Sequence, residues 1–427
     1  MELPVNSHRR GLWILSPLLV FFLVYVVASL FAGDFYKMPV TVAFLAACAW
    51  AFVVSKPKPL NRLIDRFSAG AGNTNIMMMV WIFILAGAFT GSAKFIGSVA
   101  ATVNMTLSVL PPNMLPAGLF LASCLISLAI GTSVGTIVAL MPVASALAVS
   151  ADLPLPMVAG IVVGGAFFGD NLSFISDTTI AATRTQGCLM KDKFRANFRL
   201  VLPAALLVLV IYIAFGCQYD GAVHADAYEF SKVIPYLIVL ITAICGLNVM
   251  LVLIVGLFAT SISVMCSSEL QMIDWAAAMG KGMTDMGELI IVTLMAGGLL
   301  ELIRYNGGLQ YIISHLTAKI RSTRAAEFTI SLLVAFANLC TANNTVAIVA
   351  VGDIARCVAE RFNISAPRAA SLLDTTSCIV QGVLPYGAQL LMGASLAGIA
   401  TLDIIPFLFY NYALAVACIL FIIFKRN

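Results

Sequence analysis

The sequence predicts an all-α membrane protein of two inverted-topology repeats. Each repeat holds about five transmembrane helices, with a re-entrant hairpin and a broken helix. Three observations lead there. Apolar residues make up 61% of the 427-residue chain and charged residues only 10%, where soluble domains carry about 25% charged residues. Apolar runs near the roughly 20 residues that cross hydrocarbon recur from end to end, and no polar stretch is long enough for a separate domain. The order of these runs also repeats along the chain.

The two halves align at an offset of about 210 residues. Phe83-Ile84-Leu85-Ala86-Gly87-Ala88-Phe89 answers to Thr293-Leu294-Met295-Ala296-Gly297-Gly298-Leu299. Thr136-Ile137-Val138-Ala139 answers to Thr345-Val346-Ala347-Ile348, and Phe174-Ile175 to Leu384-Pro385. Each half opens with two spans, about 11–32 and 38–55, then about 232–247 and 248–266. An amphipathic linker leads to a third span, about 75–92 and 284–303, and a shorter segment, about 95–110 and 306–318. Two apolar arms then meet at a polar point. The first pair, about 114–131 and 133–150, meets at Gly131-Thr132-Ser133. The second, about 326–341 and 345–360, meets at Ala342-Asn343-Asn344. A long segment follows, about 154–183 and 366–396, and a last span, about 196–217 and 402–424, closes each half. The expected division is residues 1–217, a connector at 218–231, and residues 232–427.

Cytoplasmic loops hold the excess of Lys and Arg. Arg9 and Arg10, then Lys56, Lys58, Arg62 and Arg66, then Lys191, Lys193, Arg195 and Arg199 place the N-terminus and two loops of the first half inside. Lys319, Arg321 and Arg324, then Arg356, Arg361 and Arg368, then Lys425 and Arg426 do the same for the second half, C-terminus included. The connector carries Asp220, His224, Asp226 and Glu229 and falls outside. Each half has five spans if the paired arms are re-entrant and seven if they cross. Both numbers are odd, so the second half enters the membrane upside down. Inverted repeats of this kind are typical of secondary transporters, whose sites lie where broken helices meet. Ser7-His8-Arg9-Arg10 before an apolar run resembles a signal peptide, but the run to Ala32 is longer than an h-region and reads as a retained first span.

Other classes find less support. No concentrated basic face offers a surface to nucleic acid. The ten cysteines are scattered singly, mostly inside apolar runs, without a C-x-x-C. His8, His224 and His315 are far apart, so no zinc site is expected. No Ser/His pair or metal cluster suggests an intramembrane enzyme, and no cofactor is expected. Interrupted helices suit alternating access better than the continuous lined pore of a channel.

Polar residues inside a membrane are expensive, so their positions locate function. The densest group runs from Gly164 to Thr179, with Asp170, Asn171, Ser173, Ser176, Asp177 and Thr178 among its glycines. A helix that unwinds there inside the protein can offer carbonyls and side-chain oxygens to a cation. Burial favours the neutral form of a carboxyl group. A carboxylate that holds a proton until a cation arrives suffices for exchange, so Asp170 and Asp177 are the Na⁺ candidates. The alternative makes both of them helix caps. Thr132 and Ser133 at the first polar point, Asn343 and Asn344 at the second, and Asp374 in the later long segment complete the candidate set. Asp285, Glu288, Glu301, Arg304, Asp353 and Asp403 lie near span ends and are expected to be solvated or to snorkel.

Gly131-Thr132-Ser133-Val134-Gly135-Thr136 resembles the G-T-S-x-G-T motif of the NhaC family of sodium/proton antiporters. Gly164 to Thr179 is similar to the family's G-A-x-F-G-D-x-x-S-P-x-S-D-T-T. Leu384-Pro385-Tyr386 resembles its L-x-P-W-N region, and Leu373-Asp374-Thr375 its acidic position. Phe174 stands where the family commonly has Pro, and Tyr386-Gly387 replaces Trp-Asn. The resemblance implies a multi-pass protein of the inner (cytoplasmic) membrane that exchanges Na⁺ for H⁺ as its transported ions. It also implies a hairpin-bearing transport domain that moves like an elevator against a scaffold, often in a homodimer. Some relatives instead move carboxylates or amino acids coupled to sodium. For that alternative, hairpin-tip amides and helix N-termini would hold the carboxylate, and no Arg or Lys is expected deep in the core to help.

Overall fold

The computed structural model describes residues 13–21, 23–25, 39–55, 59–109, 111–173, 176–218, 226–245, 247–317 and 320–424. His8, Arg9, Arg10, Lys56, Lys58, Phe174, Ile175, Asp220, His224, Lys319, Lys425 and Arg426 lie outside the described residues, as does half of the expected connector, 219–225.

Among the described residues all regular structure is helical. The chain begins with α1 (Trp13–Tyr25). There follow α2 (Val40–Val54), α3 (Leu60–Ala71), α4 (Thr74–Phe95), α5 (Ser98–Val109), α6 (Leu115–Ile130), α7 (Ser133–Ser150), α8 (Leu155–Leu172), α9 (Asp177–Gln186) and α10 (Met190–Gly216). Then come α11 (Phe230–Ile244), α12 (Val249–Met265), α13 (Met272–Asp285), α14 (Gly287–Tyr305), α15 (Gly308–Thr317), α16 (Thr323–Thr341), α17 (Asn344–Arg361), α18 (Ala366–Val383), α19 (Ala388–Ala397), α20 (Thr401–Ile404) and α21 (Phe409–Phe424). Among the described residues, seven helical runs are long and apolar enough to cross a membrane. An eighth is the run Thr401–Phe407 with α21, bent by 53°. α1, α2, α5, α6, α11 and α12 are shorter apolar helices. The chain is a multi-pass membrane protein.

Packing sorts the helices into two groups. In one, α3 and α2 lie on α14, while α13 and α12 lie on α4. Glycine makes both crossings close. A methyl group on Gly70 would strike the Gly297 carbonyl, and one on Gly282 the Gly87 carbonyl. α3 is amphipathic: Leu63 and Gly70 are buried, while Arg62, Asp65 and Arg66 are exposed. In the other group, α6 to α9 and α16 to α19 pack on one another, flanked by α10 and α21. α5, α11, α15 and α19 make smaller contacts across the seam.

Two expectations need correction. α10 starts at Met190, ahead of the expected 196, so Lys191, Lys193, Arg195 and Arg199 are helical. Lys191, Arg195 and Arg199 are exposed, but Lys193 and Asn197, one turn apart, share the inward face and are buried. Arg368 is not exposed like Arg356 and Arg361 either. It is buried, pairs in bidentate fashion with buried Glu327 at 2.7 and 2.8 Å, and lies 3.8 Å from the Phe421 ring centre. The fork geometry pairs the two charges through Nε and Nη2 in a buried place.

Candidate functional site

The first polar point is a tight reversal between α6 and α7. Gly131 adopts a left-handed conformation (φ 74°) that closes α6, with its N–H on the Ser127 carbonyl. Thr132 then turns extended and caps α7. Ser133 opens α7 with its amide facing the last turn of α8. That amide donates to Asp170 Oδ1 at 3.0 Å, and the Ser133 hydroxyl donates to Oδ2 at 2.6 Å. The carboxylate therefore sits at the positive end of α7, where an anion is favoured. Asp170 is 4% exposed and forms no ion pair with any described basic residue.

The helix runs unbroken through Gly164, Gly165 and Gly169, which serve close packing rather than unwinding. A side chain at Gly165 would strike Ser123, and one at Gly169 would strike Ser127. The run stops at Leu172 and resumes at Asp177. Ser173 bonds away to the Leu128 carbonyl on α6. The hydroxyls of Thr178 and Thr179 return to the Asp170 carbonyl at 3.1 and 3.4 Å, and Ser176 and Thr178 share a bond of 2.9 Å. Thus Asp170, Ser133, Ser176 and Thr178 come together, while the Ser173 hydroxyl is engaged by α6. Asp177 does not join their buried shell, for it heads α9 with an exposed side chain.

Asp374, on α18, is fully buried and is paired. Lys193 Nζ lies 2.7 Å from its Oδ2 and also donates to Thr179 Oγ1 and to the Asn171 carbonyl. Asn197 donates to that same Oδ2 and that same carbonyl. The absence of a deep basic residue, expected from the loop-like run around Lys193, is thereby overturned. Asn171 contributes its backbone to this group, while its side-chain amide turns to Tyr410 Oη and the Phe167 carbonyl.

The second polar point repeats the turn with different residues. Ala342, not glycine, takes the left-handed conformation (φ 47°), and Asn343 caps α17 through Val346 N–H. Asn344 is buried and reaches Cys378 Sγ on α18 at 3.9 Å. Two glutamines outside the candidate set join the two tips. Gln389 donates to Ser133 Oγ at 2.9 Å, while Gln381 donates to Gln389 Oε1 at 2.9 Å and to the Ala342 carbonyl at 3.1 Å. A continuous polar chain thus leads from Asp170 to the second tip. Gln389 heads α19 as Thr178 heads α9, each one residue inside its helix. The expected offset of about 210 residues from Thr178 is the signal that could have found it.

Oxygen dominates what is left over. Asn171 Oδ1, Asn197 Oδ1, Asn338 Oδ1, Asp374 Oδ1, Gln381 Oε1 and Asn411 Oδ1 are buried and accept no hydrogen bond among the described residues.

The model of the Na⁺/H⁺ antiporter family matches residues 7–217 and 230–426, both polar points included. The chain is 25% identical over 386 residues to the Na⁺/H⁺ antiporter NhaC of Bacillus subtilis, covering 80% of this chain and 83% of that protein. It is 24% identical over 378 residues to the malate-2H⁺/Na⁺-lactate antiporter of the same organism, covering 80% of each. It is 24% identical over 390 residues to the arginine/ornithine antiporter ArcD of Halobacterium salinarum, covering 81% of this chain and 79% of that protein. Since the family pattern runs through both halves and through the tip that holds Asp170, this chain belongs to the Na⁺/H⁺ antiporter family.

Proposed function

We propose that the protein exchanges Na⁺ for H⁺ across the cytoplasmic membrane, with Asp170 as the group that holds either ion. One contrast carries this reading. Asp374 has a lysine as counterion, whereas Asp170 is as deeply buried with hydrogen-bond donors but no cation beside it. A bare charge there is costly. The carboxylate is therefore occupied by a proton or by a sodium ion in turn, and that exclusion is the coupling. Ser133 and Thr178 complete the shell, with Thr132, Asn343 and Asn344 shaping the tips. Asp177, at the exposed head of α9, draws cations toward it.

The two halves, 1–217 and 232–427, act in this reading as inverted repeats joined by an extracytoplasmic connector, with both chain ends in the cytoplasm. Support comes from three helix pairs. α7 and α17, α8 and α18, and α9 and α19 have matching lengths of 18, 18 and 10 residues. The α6–α7 and α16–α17 arms are re-entrant hairpins. The sorting of helices into two groups favours alternating access, in which the hairpin-bearing group slides against the group of α2, α3, α4, α12, α13 and α14. A homodimer would anchor the latter.

A second reading adds a short carboxylate as cargo. A cavity of about 90 Å³ reaches the second tip, lined by Thr341, Asn343, Glu301 and Arg304. The decisive experiment uses proteoliposomes with an internal pH dye and an imposed Na⁺ gradient. Na⁺-driven proton flux without organic solute, lost in Asp170→Asn, is the expected result. Flux that needs added lactate or malate would favour the second reading.

A further inference from the structure

Lysines near the ends of membrane helices normally run their ammonium groups outward to water. Lys193 does the opposite. Its neighbours Lys191 and Arg195 are exposed, yet Lys193 is 1% exposed and points into the protein. Its ammonium carries three protons and meets three oxygens: Asp374 Oδ2 at 2.7 Å, Thr179 Oγ1 at 2.7 Å and the Asn171 carbonyl at 2.9 Å. These come from α18, α9 and the last turn of α8. A carboxylate, a hydroxyl and a carbonyl converging from separate elements form the ligand set of a small monovalent cation. Asn197, one turn along α10, donates to Asp374 Oδ2 and the Asn171 carbonyl and so fixes two of the three ligands.

We propose that the Lys193 ammonium is a resident cation that permanently fills a second cation site and withdraws Asp374 from ion exchange. The inference rests on Asp170 being the exchanging carboxylate and adds the ion ratio to that reading. Among the described residues three acidic side chains are buried: Asp170, Glu327 and Asp374. Arg368 holds Glu327 and Lys193 holds Asp374. Of these three described carboxylates, only Asp170 is left to trade one ion for another. Each cycle then moves one Na⁺ against one H⁺, and no net charge crosses the membrane. The same ammonium also ties α10 to both broken helices, so that these elements move together.

The test begins with the wild-type protein in liposomes, comparing ²²Na⁺ flux with proton flux while valinomycin and K⁺ set the membrane potential. The expected ratio is one to one, and the rate is unchanged when the potential is reversed. Two protons per Na⁺, with a rate that follows the potential, would overturn the proposal, because Lys193 would then be surrendering its own proton. A second measurement uses Lys193→Ala. Exchange is expected to fall by about a hundredfold or more and to recover severalfold when methylammonium supplies the missing cation. A folded Lys193→Ala protein that works as well as wild type, or that methylammonium leaves unchanged, would count against a cation site. Failure of the Asp170 reading looks different: Asp170→Asn would keep its Na⁺-driven flux, whatever ratio the wild type gives.

Discussion

Ser133 gives both its backbone N–H and its hydroxyl to the carboxylate of Asp170, at 3.0 and 2.6 Å, so the head of α7 and the end of α8 share one charge. Asp170→Asn removes that charge and turns an N–H₂ group toward one of the two Ser133 donors. Na⁺-driven proton flux should fall to background, while the protein still inserts and purifies as a helical membrane protein. Wild-type flux in a pH-dye assay of this variant would remove Asp170 from the mechanism.

Asp177→Asn should behave differently. Its side chain is exposed at the first residue of α9, where a carboxylate contributes about 0.3–1 kcal/mol through the helix dipole. Exchange should persist, with the half-saturating Na⁺ concentration raised by up to about fivefold, as 1 kcal/mol allows. Complete loss of exchange would place Asp177 in the ion shell after all.

Gln389→Leu cuts the polar chain between the two tips. Ser133 Oγ loses its donor and Gln381 loses the Gln389 acceptor. Loss of a buried hydrogen bond to a charged network is worth about 1.5–3 kcal/mol. A rise of about tenfold or more in half-saturating Na⁺ is the expected kinetic signature. Unchanged saturation would show that the second tip acts independently of Asp170.

Ala342 is in the left-handed conformation at φ 47°, which costs a residue with a Cβ about 1–2 kcal/mol. Ala342→Gly relieves that cost, less what glycine loses on folding. The unfolding midpoint in detergent should therefore rise by the equivalent of about 0.5–1 kcal/mol. A lower midpoint would mean that the Ala342 methyl contributes packing the backbone geometry does not reveal.

Much of the architecture was legible because membranes impose simple rules. Apolar runs placed the helices to within a few residues, and Gly131-Thr132-Ser133 and Ala342-Asn343-Asn344 marked the two turns. Asp170, Ser133, Thr178 and Asp374 stood out because a polar group in hydrocarbon needs a reason. The start of α10 was misjudged because a run of basic residues reads as a loop, and helical phase turns only Lys193 and Asn197 inward. Glycines at 164, 165 and 169 suggested unwinding but serve close contact with α6 and α21.

The sequence by itself determined the solvent the chain folds in, the order of its helices and the residue types able to hold a cation. Pairing was decided only by the tertiary structure. Lys193 lies far from Asp374 along the chain and Arg368 from Glu327, yet each meets its partner at hydrogen-bond distance. Such partners carry no local pattern, because an ion pair depends on which helix faces approach, and packing sets those faces. Among the described residues, packing thus left Asp170 as the buried carboxylate without a cation of its own.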